Sequence, residues 1–146
     1  MRELNTEKVI SVLNAILEQE LAGVVRYTHL ALVVSGPNRI PIVDFMKAQA
    51  NESLLHAQQV GEILTGLEGN PSFRVTIEET RKHSIRALLA ESLEHEQQAI
   101  GLYKDLLETV KDASIYLEEF ARSMIGQEEL HQIELKKMLR DYSESE

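Results

Sequence analysis

The sequence predicts an all-α protein: a bundle of four helices, arranged as two antiparallel hairpins that a long crossover joins. Apolar residues recur at intervals of three and four with hardly any alternation of period two, which is typical of amphipathic helices. Three helix-breaking stretches divide the chain, SGPNRIP at 35–41, GLEGNPSFRVT at 66–76 and KDAS at 111–114. We therefore expect helices over residues 6–34, 41–65, 77–110 and 113–139.

The helix starts carry local signals. Pro41 suits the first position of the second helix, where a missing backbone N–H costs no intrahelical hydrogen bond. Thr76 and Glu79 have the spacing of a capping box for the third helix. Asp112 is a candidate N-cap for the fourth helix.

The lengths of the connections predict the topology. The first and third connections are short enough only to join antiparallel neighbours, so each closes a hairpin. The second connection has about eleven residues and reaches ~37 Å when extended, nearly the length of a helix of about 25 residues. Because a link of this reach can travel the whole bundle, we expect the third helix to run parallel to the second.

The composition limits the class of protein and the chemistry. The 146 residues, 43% hydrophobic and 27% charged, fit one globular domain over residues 1–146. No apolar run approaches the ~20 residues of a membrane span. The amino-terminal segment lacks the pattern of a signal peptide, so we expect a cytoplasmic protein. The absence of cysteine excludes disulfides and thiolate metal ligands. A net charge of −9 without a basic stripe argues against nucleic-acid binding and favours cations.

Two helices place a glutamate in a seam that is otherwise apolar. Reading the inward face of the first helix in steps of four and three meets Glu20 and, seven residues later, Tyr27. The same reading of the third helix meets Glu96 and, again seven residues later, Tyr103. Since the spacing recurs on the corresponding helix of each hairpin, it resembles an internal duplication.

The second and fourth helices extend the repeat. Glu52 follows the first-helix glutamate by 32 residues, and Glu128 follows the third-helix glutamate by the same distance. Each precedes a histidine: His56 comes four residues after Glu52, and His131 comes three residues after Glu128. Both spacings keep the two side chains on one helical face.

Four carboxylates that converge in one core need a counter-charge. An ionised carboxylate taken out of water without a partner loses several kcal/mol even after relaxation. No lysine or arginine occupies the seam positions, so a pair of metal ions is the natural counter-charge. Four carboxylates and two imidazoles suit iron or manganese with open positions for oxygen species, as in carboxylate-bridged helix bundles.

At these residues the sequence resembles the bacterioferritin branch of the ferritin-like superfamily, over roughly residues 5–140. The stretches EQELAGVVRYTHLAL and HAQQVGEILTGLEGNP carry the resemblance beyond the ligands. It implies a two-metal centre in which Glu128 and a second-helix carboxylate bridge the ions. It also implies Tyr27 as a catalytic residue close to them. The ligands that it implies are Glu20, His56, Glu96, Glu128 and His131.

Three departures from that family change what we expect. The family places a glutamate three residues before the second-helix histidine, where this chain has Ser53; Glu52 lies one residue earlier, and a π-bulge could restore its aim as a ligand. Leu54 stands where bacterioferritins have the haem-binding methionine, so we expect no haem. Because the polar end DYSESE leaves no room for a fifth short helix, a 24-subunit cage is in doubt.

The sequence thus predicts a ferroxidase that holds two iron ions, with manganese as an alternative metal, and oxidises Fe²⁺ with O₂ or H₂O₂. Its role would be iron storage, iron detoxification or peroxide protection, as a homo-oligomer that is either a dimer or a cage. The alternative is a ferritin-like bundle whose metal site is weakened or lost and which serves as a structural or interaction protein. We expect His29, His83 and His95 at the surface or on helix flanks.

Overall fold

Four long α-helices form the bundle in the computed structural model, which describes residues 2–142. Helix α1 packs along α2, α3 packs along α4, and α1 also contacts α3. The predicted four-helix bundle of two hairpins joined by a long crossover is therefore confirmed. The helices are α1 Thr6–Val33, α2 Arg39–Gly66, α3 Ile85–Val110 and α4 Ile115–Arg140.

The turn between α1 and α2 uses two left-handed residues. Gly36 has φ 115° and Asn38, the N-cap of α2, has φ 66°. Glycine adopts this region without steric cost, and asparagine tolerates it better than most residues. Pro41 is the third helical residue rather than the first, because α2 begins at Arg39. The first four N–H groups of a helix have no intrahelical partner, so proline is tolerated there too.

Helix α4 begins at a different cap from the one predicted. Ser114 is the N-cap, and its side chain accepts a 3.2 Å hydrogen bond from the backbone N–H of Leu117. Asp112 instead lies in the preceding turn with φ 60°. Aspartate is one of the few residues that tolerate this left-handed conformation. Asp112 therefore stabilises the turn rather than capping the helix.

Helix α3 begins eight residues later than predicted, and the crossover is correspondingly longer. Ser84 caps it by accepting a 3.2 Å hydrogen bond from the N–H of Ala87, while Thr76 and Glu79 lie in the crossover outside any helix. The crossover must travel the length of α2, ~42 Å for 28 residues at 1.5 Å each, whereas eleven extended residues reach only ~37 Å. Residues 67–84 cover that distance.

Specific hydrogen bonds hold the crossover against α1 and α3. The Asn14 side chain on α1 donates to the carbonyl of Asn70 at 3.1 Å and accepts from the N–H of Ser72 at 2.8 Å. Further along, the buried Thr80 hydroxyl donates to the Glu91 carboxylate on α3 at 3.1 Å. The crossover therefore lies along the side of the bundle that α1 and α3 form.

The core consists of two apolar clusters separated by a polar layer. One cluster contains Leu13, Leu106 and Leu117, and the other contains Leu30 and Leu135.

In the described part of the chain, none of the helices is both long and apolar enough to span a bilayer. Helix α4 ends at Arg140. The predicted absence of a fifth helix concerns in part residues 143–146, which lie outside the described residues.

Candidate metal centre

Five of the six predicted ligands meet in the polar layer between the two apolar clusters. Each of α1, α2 and α3 supplies one of them, and α4 supplies two. They form two groups of three, and in each group one ligand atom per residue lies within 4.8 Å of the others. Glu128 belongs to both groups. The groups are Glu20, His56 and Glu128, and Glu96, Glu128 and His131.

The Glu128 carboxylate lies between the two histidines. Its Oε1 is 3.9 Å from Nδ1 of His56, and its Oε2 is 3.7 Å from Nδ1 of His131. Both distances are too long for hydrogen bonds. Two bonds of ~2.1 Å to a shared metal ion span ~3 to 4.2 Å, depending on the angle at the metal. The spacing on each side of Glu128 therefore fits a cation.

Two of these atoms lack a partner. Among the residues that the structure describes, Oε2 of Glu128 and Nδ1 of His131 are buried without a hydrogen-bond partner. An unpaired buried polar atom costs about 1–3 kcal/mol. The two atoms face each other, so one cation would satisfy both. Carboxylate oxygens and imidazole nitrogens are ligands for iron and manganese, so the residues present fit such an ion.

Both histidines turn Nδ1 toward the buried carboxylates and Nε2 toward the partly exposed side chains of Gln127 and Glu52. Nδ1 of His56 lies 3.0 Å from Oε2 of Glu20, while its Nε2 lies 3.2 Å from Oε1 of Gln127. Nε2 of His131 lies 3.1 Å from Oε2 of Glu52. The two rings therefore present the same nitrogen to the space between the carboxylates. Gln127, which contacts His56 from the outside, was not predicted from the sequence.

Protons take the place of a cation in the metal-free cluster. Burial raises the pKa of Glu128 to about 9, with further support from neighbouring carboxylates. Burial opposes protonation of His131, but contact with Glu128, Glu52 and Glu96 outweighs it and raises the pKa of this imidazole to about 12. Burial likewise opposes ionisation of Glu96, yet His131 brings its pKa down to about 2. At neutral pH the metal-free cluster thus holds a protonated Glu128 and a charged His131.

Two buried tyrosines donate hydrogen bonds to the carboxylates of Glu20 and Glu96. The Tyr27 hydroxyl donates to Oε1 of Glu96 at 2.6 Å and accepts from the Ser92 hydroxyl at 2.8 Å. The Tyr103 hydroxyl donates to Oε2 of Glu20 at 2.6 Å. Burial, reinforced by these carboxylates, raises the pKa of both tyrosines, so both hydroxyls stay protonated. The repeated glutamate-to-tyrosine spacing was the sequence signal for Tyr103.

Glu52 lies outside both groups of three. Its side chain is 30% exposed, with Oε1 at 3.6 Å from Nε2 of His56 and Oε2 at 3.1 Å from Nε2 of His131. Helix α2 is regular from Arg39 to Gly66, so it contains no π-bulge that would turn Glu52 inward. The neighbouring Ser53 is the buried residue.

His95 is buried, so its predicted position at the surface or helix flank is wrong. Its ring packs edge-on against Tyr27 with centroids 5.5 Å apart, and its Nδ1 accepts from Nε of Arg26 at 3.3 Å. Burial lowers the pKa of His95 to about 4, which keeps the ring neutral beside Arg26. Gly23 on α1 faces Nε2 of this ring. A glycine in the helix turn after Glu20 was the available signal for this close approach.

Comparisons with known proteins agree with the four-helix fold. A protein-family model described as "Ferritin-like domain" matches residues 10–145 of this chain. No curated protein sequence is a significant match. The chain is similar to a bacterioferritin-related protein of Bacteroides fragilis, a dodecameric thioferritin, with 25% identity and a TM-score of 0.89 over 95% of this chain and 88% of that one.

Two further solved structures have the same architecture. A bacterioferritin of Rhodobacter capsulatus is 26% identical, with a TM-score of 0.78 over 93% of this chain and 86% of that one. A ferritin-like diiron-carboxylate protein of Bacillus anthracis is 24% identical, with a TM-score of 0.85 over 92% of this chain and 96% of that one. The Bacillus anthracis similarity shows the fold alone.

Proposed function

This chain belongs to the ferritin-like family, and from that premise we propose that it is a ferroxidase, which binds two Fe²⁺ ions in its bundle core and oxidises them with O₂ or H₂O₂. The resemblance to bacterioferritins noted in the sequence is confirmed by this family match and by the structural neighbours. One observation carries the proposal: the buried Glu128 carboxylate is a member of both groups of ligand atoms.

The proposal assigns each group to one ion. Glu20, His56 and Glu128 would hold the first, and Glu96, Glu128 and His131 would hold the second, with Glu128 shared between them. Glu128 and His131, which carry protons in the metal-free cluster, would give up those protons to bind the cations. The positive charge of the cations would then offset the cost of ionising buried carboxylates. Manganese is the alternative metal. Haem is not part of the proposal, because Leu54 lacks a side chain that could ligate it.

The site matches a two-electron reaction. Two Fe²⁺ ions held together give up two electrons and become two Fe³⁺ ions. With two protons these electrons reduce O₂ to H₂O₂, or reduce H₂O₂ to two waters. Oxygen ligands favour the harder ferric product. Tyr27, predicted as a catalytic residue, contacts the ligand Glu96, so we propose that it holds this carboxylate in place during the reaction.

Anaerobic addition of Fe²⁺ followed by air tests the proposal. The parent protein should bind two Fe²⁺ per chain and develop a ferric absorption on mixing with O₂ or H₂O₂. Glu128→Ala should lose both properties because it removes the shared ligand. The matched control is Glu129→Ala, the exposed neighbour on the same helix, which should behave as the parent does. A Glu128→Ala protein that oxidises Fe²⁺ at the parent rate would make the assignment wrong.

A bundle that has lost its metal site and serves as an interaction protein is the competing prediction. That protein would bind no Fe²⁺ in the same experiment. Its buried carboxylates would then be held by protons, by the tyrosine hydroxyls and by the His56 imidazole beside Glu20.

Assembly decides what happens to the oxidised iron. We propose a homo-oligomer in the cytoplasm, as expected from the sequence. A closed shell would store the ferric product, and a dimer would serve detoxification or peroxide protection. The similar Bacteroides fragilis protein is dodecameric, which adds a twelve-subunit shell to the dimer and the larger cage. Light scattering on the 16.6 kDa chain distinguishes these states by mass.

A further inference from the structure

The carboxylate of Glu52 contacts both histidines of the candidate centre from the solvent side. Oε2 lies 3.1 Å from Nε2 of His131, and Oε1 lies 3.6 Å from Nε2 of His56. The two oxygens of one side chain thus face the outer nitrogens of two residues that belong to different ligand groups. Glu52 is 30% exposed, while His56 is 3% exposed and lies beneath it.

The outer nitrogen of a metal-binding histidine decides how the ring meets the metal. A neutral imidazole has one N–H and one lone pair, and only the nitrogen with the lone pair can bind. A carboxylate or amide that accepts from the other nitrogen fixes both the tautomer and the orientation of the ring. In this centre both Nδ1 atoms point at the carboxylates, so both Nε2 atoms must carry the proton when a metal is bound.

We propose that Glu52 is a positioning residue, whose Oε2 accepts from the Nε2–H of His131 at 3.1 Å and so aims Nδ1 of this ring at the metal. Its Oε1 lies 3.6 Å from Nε2 of His56, beyond hydrogen-bonding distance. This inference rests on the proposed function. It replaces the role of metal ligand that the sequence predicted for Glu52, in place of the family's bridging second-helix carboxylate. To act as a bridge, the Glu52 carboxylate would have to leave the Nε2 side of both rings and reach the space on the Nδ1 side.

The two histidines depend on Glu52 to different degrees. His56 has a different outer acceptor, because Oε1 of Gln127 lies 3.2 Å from its Nε2 and Oε1 of Glu52 lies 3.6 Å away. For His131, the outer contact within hydrogen-bonding distance is Glu52 itself, at 3.1 Å. Removal of the Glu52 carboxylate should therefore affect the group of Glu96, Glu128 and His131 more than the group that contains His56.

The test is anaerobic titration with Co²⁺, which reports metal binding through its absorption without any oxidation. The parent should bind two Co²⁺ per chain. Glu52→Ala should also bind two, with the affinity of one site lowered about 10- to 100-fold, as expected when an outer partner of a histidine ligand is lost. Glu52→Gln, which keeps one acceptor oxygen, should recover part of the affinity. The matched control is Glu62→Ala, an exposed glutamate later on α2.

A second readout separates positioning from ligation. In the Zn²⁺-loaded parent, ¹H–¹⁵N spectra should show the Nε2–H of His131 protected from exchange with water, and Glu52→Ala should expose it while the ring stays bound through Nδ1. Loss of one Co²⁺ in Glu52→Ala, with the Nε2–H signal still protected, would identify a direct ligand and overturn the proposal. Unchanged affinity and protection would overturn it as well.

The outcomes also distinguish this inference from the proposed function. A parent protein that binds no Co²⁺ overturns the ferroxidase assignment and the positioning role together. A parent that binds two Co²⁺, with Glu52→Ala indistinguishable from it, overturns the positioning role alone. Because Glu52 is partly exposed, thermal melting of each metal-free variant should confirm that the bundle is intact.

Discussion

The Tyr103 hydroxyl on α3 donates a 2.6 Å hydrogen bond to the Glu20 carboxylate on α1. The reverse arrangement occurs one layer away, where Tyr27 on α1 donates to Glu96 on α3 at the same distance. Each helix therefore supplies a carboxylate and the hydroxyl that holds the carboxylate of the other helix. The exchange follows from the equal spacing of glutamate and tyrosine on two neighbouring helices that run in opposite directions.

Removal of either hydroxyl should destabilise the metal-free protein. Tyr103→Phe leaves Oε2 of the buried Glu20 without its tyrosine donor, and Tyr27→Phe does the same for Oε1 of Glu96. We expect each variant to lose about 1–3 kcal/mol in the free energy of unfolding, measured with urea at neutral pH. The control is Tyr116→Phe, because Tyr116 is 68% exposed, and it should differ from the parent by less than about 0.5 kcal/mol. Equal stability of all four proteins would contradict the assigned hydrogen bonds.

The metal-free protein should become less stable as the pH rises above about 6.5, because below that pH the neutral buried His95, with a pKa of about 4, gains the stability that Glu128 loses. The folded-state pKa of Glu128 is about 9 and that of His131 is about 12, both above the ordinary values of 4.5 and 6.5. A raised pKa contributes stability that is complete below the unfolded value and is lost as the pH rises through the folded one. Glu128 thus acts between 4.5 and about 9, and His131 between 6.5 and about 12.

Glu128→Gln should remove part of that pH dependence. The amide is nearly the same shape as the protonated carboxyl but does not titrate. Urea unfolding of the metal-free variant should show a weaker decline between about pH 6.5 and 9 than the parent shows. A variant whose decline matches that of the parent would place the titration on other groups.

Metal binding should release protons. At neutral pH the metal-free cluster holds one proton on Glu128 and an extra one on His131, and metal binding at either residue requires the deprotonated form. We expect about two protons to leave when both sites fill with Zn²⁺, and the apparent affinity to rise with pH. Calorimetry in buffers of different ionisation enthalpy counts these protons. Metal binding without any proton release would rule out the assigned charge state.

Gly23→Ala should destabilise the bundle, unlike alanine at other helical glycines. A Cβ at Gly23 would lie 2.6 Å from Oγ of Ser53 and 2.9 Å from Nε2 of His95, so these two buried side chains would have to shift. We expect a loss of about 1–3 kcal/mol in the free energy of unfolding, typical of overpacking. At Gly101 a Cβ meets nothing within 4 Å, so Gly101→Ala should gain about 0.5–1 kcal/mol. Thermal melting of both variants makes the comparison.

The sequence was sufficient for the helices, the topology and the identity of five residues that converge. Its period of three and four residues survives in the structure because each helix buries one stripe. The charged positions in those stripes were visible for the same reason. The start of α3 was not predictable from Thr76 and Glu79, because the capping-box spacing is local, whereas the length of the crossover is set by the length of α2.

Only the tertiary structure decided how these residues are used. The sequence shows that Glu52 and His56 lie one helical turn apart. It does not show which nitrogen of the histidine the carboxylate faces. The regular course of α2 places the Glu52 carboxylate on the Nε2 side of the ring. The burial of His95 likewise depends on the glycine that faces it from α1. A helical pattern specifies which residues point inward, since it repeats along one chain segment. Distances and hydrogen-bond partners are fixed by the relative position of separate helices, which no local pattern contains.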